Sequence, residues 1–201
     1  MKEQELKLLL DRKAYEKLLE DFPNAPVPVK QINYYFDTPD FYLGRNKIML
    51  RVRQEKEHFI LCAKILQDAS GSSLICTELE QTIPATVFEQ GKQNADILLS
   101  HLPAEGQQAI RSLVSPEQIS LRGALENERC LLPFSDSSYT YELDRTLFPG
   151  NNEAYELEIE GVEDEDACRR VMENLTAHGY TFTPHKESKY KRFQEAAARL
   201  L

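Results

Sequence analysis

The sequence predicts an α+β fold in which antiparallel strands dominate and helices lie around them. Three observations carry this expectation. Short runs with a two-residue period recur along the chain, apolar residues at helical spacing are confined to a few blocks, and no internal repeat interrupts the pattern. With 201 residues, the chain is expected to make one domain over 1–201, built around a closed or nearly closed sheet.

The first strand is Lys2–Leu10, where the period of two puts Glu3, Glu5 and Lys7 on one face. Asp11 is a good N-cap for a helix to Phe22, with Ala14, Tyr15, Leu18 and Leu19 near helical spacing. Pro23, Pro26 and Pro28 end it. A strand over 30–36 leads into a turn at 37–40, and strands over 48–54 and 58–65 are joined by Glu55-Lys56-Glu57. After a Gly-Ser loop comes Leu74–Ile83. Residues 85–102 and 104–114 read as helices separated by Pro103. Strands are expected again over 119–122, 127–132, 138–144 and 154–160, the last two as a hairpin about Pro149-Gly150-Asn151-Asn152. A helix over Glu165–Ala177 stops at Gly179, and 186–201 reads as the final helix. The acids of 163–166 suit a helix N-terminus better than a calcium loop, since the glycine and spacing of an EF-hand are missing.

The formal net charge of −9 argues against nucleic acid and anionic membranes as partners, because both attract basic surfaces. No run approaches ~18 apolar residues, and acids occupy the N-terminus where a secretory signal would be basic and then apolar. A soluble, cytoplasmic protein is expected. Cys62, Cys76, Cys130 and Cys168 are scattered, as are the four histidines, so reduced, non-ligating thiols are expected.

Charges occupy the polar faces of the strands to an unusual degree. Arg51 and Arg53 share a face, and Lys64 interrupts an apolar run. Glu78 pairs with Glu80, Glu142 with Asp144, and Glu156, Glu158 and Glu160 alternate. Solvated outer faces would account for any single strand. The sum points to a concave polar interior, because Glu156, Glu158 and Glu160 would repel one another on an open surface. Alternating carboxylates can converge on a hard divalent cation, and facing arginines and lysines can wrap a polyanion. Both signs in one cavity suggest a metal-bound polyphosphate.

Glu3-x-Glu5-x-Lys7, Tyr34-Tyr35-Phe36-Asp37-Thr38, Leu50-Arg51-Val52-Arg53, Lys64, Glu78/Glu80, Arg129, Leu143-Asp144, the 155–160 run Y-E-L-E-I-E and Ser188-Lys189-Tyr190 follow one another in the order seen in the CYTH domain. Over nearly its whole length the sequence resembles that family, the triphosphate tunnel metalloenzymes. The resemblance implies an eight-stranded, antiparallel, closed β-barrel with peripheral helices and a charged tunnel for a triphosphate. It implies that Lys7, Arg51, Arg53, Lys64, Arg129 and Lys189 hold phosphate oxygens. It further implies that Glu3 and Glu5, with two of Glu156, Glu158 and Glu160, bind Mg2+ or Mn2+, supported by Asp144 and by the acids Glu78 and Glu80. Glu5, Lys7, Arg53 and Glu158 are the expected catalytic set.

The function expected on this basis is metal-dependent hydrolysis of a small-molecule triphosphate, inorganic triphosphate ahead of thiamine or nucleoside triphosphates. The alternatives are a class IV adenylate cyclase, which the family also resembles, and a polyphosphate-binding protein without turnover. A monomer or homodimer is expected.

Overall fold

Alternating sequence becomes strand wherever one face can be buried, and among the described residues it does so nine times. The computed structural model describes residues 2–66, 74–134, 139–162 and 164–199, without the side chains of 2–4, 74 and 75. Its elements are β1 (Lys2–Leu10), α1 (Arg12–Asp21), β2 (Val29–Asp37), α2 (Tyr42–Arg45), β3 (Ile48–Glu55), β4 (His58–Leu66), β5 (Leu74–Ile83), α3 (Ala85–Gly91), α4 (Ala95–His101), α5 (Ala104–Arg111), β6 (Ser120–Leu132), β7 (Thr140–Phe148), β8 (Asn152–Glu160), α6 (Glu165–Ala177), β9 (Thr183–His185) and α7 (Lys189–Ala198). Among the described residues, no helix is long and apolar enough to cross a membrane.

The α+β class stands, but the eight-stranded closed barrel is corrected. The strands form one nine-stranded antiparallel sheet in the order β5-β4-β3-β2-β6-β7-β8-β1-β9, not closed into a barrel. β1 does touch β5, over four residue pairs from Lys2↔Thr77 to Glu5↔Leu74. Beyond them its edge turns to β9, with Lys7 opposite His185 and Leu9 opposite Thr183. β1 therefore divides one edge between two partners, and no ladder runs the length of that seam. The three-residue β9, with Pro184 in it, carries no period that the sequence could reveal.

Other boundaries shift for local reasons. The helix expected over 85–102 breaks into α3 and α4, because Asn94 caps a new start by accepting from the Asp96 amide at 3.0 Å. The two short strands expected within 119–132 are one continuous β6. It passes through Gly123, whose φ of +140° and approach to Phe193, where a Cβ would lie 3.1 Å from the ring, both call for glycine. The final helix starts at Lys189, capped by Ser188. As expected, Asp11 and Asp164 cap α1 and α6, each accepting a backbone N–H at 2.7 Å. Glu163 lies outside the described residues.

Two apolar clusters cover the convex face. In one, α1 and α6 set Leu18, Val171 and Leu175 against Leu6, Leu8, Leu143, Leu157 and Ile159. In the other, α3, α4 and α5 bring Phe88, Leu98, Leu99 and Ile110 onto Phe36, Leu50, Val52 and Leu61. The third cluster lies on the concave face, where Tyr190 and Phe193 of α7 meet Tyr35, Met49, Leu125 and Phe148. Inward-facing residues thus grade along each strand. Phe148 is followed on the same face of β7 by Thr146, Asp144 and Glu142, and Met49 on β3 by Arg51 and Arg53. The apolar end is filled by α7; the charged end is left for a site.

Asp37 holds this arrangement together. Its fully buried carboxylate accepts from the amides of Thr38 (2.6 Å), Leu43 (2.9 Å) and Gly44 (3.0 Å), so the short α2 forms on it. It also accepts from the Tyr190 hydroxyl, which fastens α7. Tyr190→Phe should therefore cost about 1.5–3 kcal/mol in urea unfolding, the range for a hydrogen bond to a charged group. A loss under about 0.5 kcal/mol would show that the other contacts of α7 hold it without this hydrogen bond.

Candidate functional site

The charged end of the concave face is a cavity of about 1000 Å³. Nine cationic side chains line it (Lys7, Lys47, Arg51, Arg53, Lys64, Arg129, Lys186, Lys189 and Lys191), with seven carboxylates (Glu5, Glu78, Glu80, Glu142, Glu158, Glu160 and Glu187). Every expected phosphate-holding residue is among them, from four different strands and one helix. Among the described residues, the lining of this cavity is thus richer in cations than in anions, in a chain with net charge −9.

Strand order gives the cavity two walls. β3 lies four places from β8 in the sheet, so Arg51 and Arg53 are set across from the glutamates of β8. On the acidic side, register places Lys7 beside Glu158 and Glu158 beside Glu142, while Glu5 lies beside Glu160.

The acidic wall is tightly paired. Lys7 donates to Glu158 and lies 3.1 Å from Glu5. Arg129 reaches Asp144 with two nitrogens, at 2.8 and 2.6 Å, and Glu158 at 2.6 Å, and it also pairs with Glu142. Lys189 Nζ lies 2.8 Å from Asp144, 2.9 Å from Glu156 and 2.8 Å from Glu158. Burial alone would push the Glu158 carboxyl up, yet Lys189, Lys7 and Arg129 hold it well below the usual range. Asp144 is held down by Lys189 and Arg129 in the same way, against its burial. Glu142 departs from this pattern. Burial raises its pKa, Glu158 and Asp144 push in the same direction, and the pairing with Arg129 does not cancel them.

The basic wall is less balanced. Glu78 lies 3.3 Å from Arg51 and 3.0 Å from Lys64, and it accepts from the Cys62 thiol at 3.0 Å. Arg53 has Glu55 at 3.8 Å, and its Nε, though buried, has no hydrogen-bond partner. Its pKa is lowered, first by repulsion from Arg51, then by burial and by Arg129. A cation crowded by cations and an anion crowded by anions therefore face the same space.

The cavity holds Glu5, Lys7, Arg51, Arg53, Lys64, Glu78, Glu80, Arg129, Glu158, Glu160 and Lys189 together. Asp144 and Glu156 lie beneath its floor, 0% and 1% exposed, and Glu156 is also held by Arg192 from α7. The side chain of Glu3 lies outside the described residues. Glu142 lines the cavity but was left out of the expected site set. Its shared face with Asp144 was the available signal. Arg122 points elsewhere, over the Phe41 ring.

Two donor sets could be offered to a divalent ion. Glu5, Glu142, Glu158 and Glu160 are all-oxygen donors, as a hard cation prefers, and the unrelieved charge at Glu142 fits such an ion. Among the described residues, Cys62, Glu78 and Glu80 are the group whose ligand atoms lie within 4.8 Å of one another. Burial pushes the Cys62 thiol up to about 12, however, so its sulfur is protonated and a poor ligand.

The CYTH domain profile matches residues 1–193. A Hippeastrum protein, described as a candidate adenylyl cyclase with a dominant triphosphatase activity, aligns with a TM-score of 0.82 at 22% identity. That alignment covers 96% of this chain and 95% of the other. A candidate adenylate cyclase from Bacillus halodurans aligns with a TM-score of 0.74 at 26% identity, covering 94% and 95%. A Pyrococcus horikoshii protein aligns with a TM-score of 0.63 at 18% identity, covering 96% and 98%. No curated protein matches the chain. With the profile matched from the first charged strand into α7, the chain belongs to the CYTH domain family.

Proposed function

We propose that the chain hydrolyses a triphosphate with the help of a divalent cation, inorganic triphosphate being the favoured substrate. The observation that carries this reading is the imbalance at Arg53. A buried guanidinium pressed by Arg51 and Arg129, with its nearest acid at 3.8 Å, is a site prepared for an anion. A triphosphate brings roughly four to five negative charges, more than any one arginine could neutralise. Arg51, Arg53 and Lys64 would hold it from the basic wall, and Lys7 and Arg129 from the acidic one.

Glu5, Glu142, Glu158 and Glu160 would hold the ion, Mg2+ or Mn2+. When bound, it supplies neutralisation of the phosphoryl oxygens and acidifies water. The chain's own part is positioning and charge stabilisation. Arginines fixed by strand register meet the charge that develops on the transferred phosphoryl group without having to reorganise. Water attacks the terminal phosphorus, pyrophosphate leaves, and orthophosphate is released.

A second reading, a nucleoside triphosphate converted to a cyclic nucleotide, is favoured by one observation. The cavity has an apolar flank of Ile48, Met49 and Leu66 that a bare triphosphate would not touch. The Bacillus halodurans relative, described as a candidate adenylate cyclase, supports keeping it. One assay separates the two readings. With Mg2+, Mn2+ or EDTA, orthophosphate release from inorganic triphosphate is expected only with metal and well above that from ATP. Cyclic AMP and pyrophosphate from ATP would instead establish the cyclase.

Two substitutions test the walls. Arg53→Ala should lower kcat/KM by about 100-fold or more and leave the thermal midpoint unchanged or slightly higher, since it relieves repulsion with Arg51. A fall in midpoint with unaltered kinetics would place Arg53 among structural residues. Arg129→Ala should cost about 3–5 kcal/mol of stability, because it takes the paired cation from Glu142 and leaves buried Asp144 and Glu158 to their lysine partners. Equilibrium denaturation of that variant gives the answer directly.

A further inference from the structure

Lys189 is the first residue of α7, and the helix is anchored just behind it. Tyr190 donates to Asp37, and Phe193 is fully buried against Tyr35. The ammonium is therefore delivered to a fixed point, 2.8–2.9 Å from one oxygen each of Asp144, Glu156 and Glu158. The ammonium donates a hydrogen bond to Glu158 and is held by Asp144 and Glu156 as ion pairs, so it sits among three carboxylates. Carboxylate oxygens thus surround Lys189 in place of the phosphate oxygen that the resemblance implies.

Three acidic oxygens around one point are also what a hard divalent cation takes, at about 2.0–2.6 Å. The triad is held open wider than that by the ammonium. Ammonium and ion cannot share the point, because two like charges within about 3 Å repel strongly in a site shielded from water.

We infer that Lys189 is the resident cation of the Asp144–Glu156–Glu158 triad, and that a divalent ion reaches these carboxylates only when Lys189 withdraws with the first turn of α7. The ion alone then binds weakly, since it must displace an ammonium paired with all three carboxylates. A triphosphate in the cavity offers that ammonium new oxygens, so ion and triphosphate bind cooperatively. This last step rests on the reading of the cavity as a triphosphate site; the exchange of Lys189 for an ion does not.

The test titrates Mn2+ alone into metal-free protein and reads free Mn2+ by electron paramagnetic resonance, with no substrate present. Lys189→Met is expected to bind Mn2+ at least tenfold more tightly than the natural protein, and adding Glu156→Gln to it should remove the gain. Equal affinity in the two proteins overturns the inference. Circular dichroism follows the fold, and a variant that refolds only on adding Mn2+ counts as the expected gain. Should it fold under neither condition, hydrogen exchange of the natural protein decides. At saturating Mn2+ the first turn of α7 should exchange faster, and unchanged exchange overturns the proposal. Triphosphate turnover is measured separately: turnover without the Mn2+ gain sinks this inference alone, and the gain without turnover sinks the triphosphatase reading alone.

Discussion

A carboxylate removed from water must be met by a cation, and three of them in and beneath one cavity set the terms for the rest of this molecule. Asp144, Glu156 and Glu158 are almost fully buried. The cost of burying each charge is several kcal/mol, and only close pairing offsets it. The cations that meet them come from β1 (Lys7), β6 (Arg129) and α7 (Lys189 and Arg192). Pairing thus joins the first strand, the centre of the sheet and the last helix. It holds β1 beside β8 and brings α7 back into the concave face, since either in another place would leave buried charges unmatched.

The two walls of the cavity differ in how far this pairing is completed, and that difference is what gives the site a direction. On the acidic side Asp144 and Glu158 are held ionised by lysine and arginine, while the pKa of Glu142 is raised. On the basic side Arg51 is paired with Glu78 at 3.3 Å, while Arg53 is crowded by its neighbours. An anion entering from the open end would meet excess positive charge on one side. An accompanying cation would relieve Glu142 on the other. Fold stability and ligand preference therefore come from the same set of charges, some satisfied within the chain and a few left over.

Much of this was legible in the order of residues. A period of two tells which side chains share a face, so Glu5 and Lys7, Arg51 and Arg53, and Glu78 and Glu80 could be grouped before any coordinates were known. Aspartates ahead of apolar helical runs marked the starts of α1 and α6. The α2 turn was not legible, because its start depends on Asp37 accepting amides six and seven residues away. Nor was β9, whose three residues form a strand only because the edge of β1 is there to receive them.

By itself, the sequence determined which residues are charged, which of them share a strand face and where most strands and helices run, because those depend on local periodicity and backbone preference. It did not determine depth. Asp144 and Glu142 share one face of β7, yet one is sealed under Arg129 and Lys189 and the other opens on the cavity. Glu156 and Glu158 divide in the same way on β8. Tertiary structure alone decided that, and it also decided that the sheet stays unclosed, with β1 parted between β5 and β9. The reason is physical: depth and closure are set by what packs across the strands from distant parts of the chain, and a two-residue period carries no information about that.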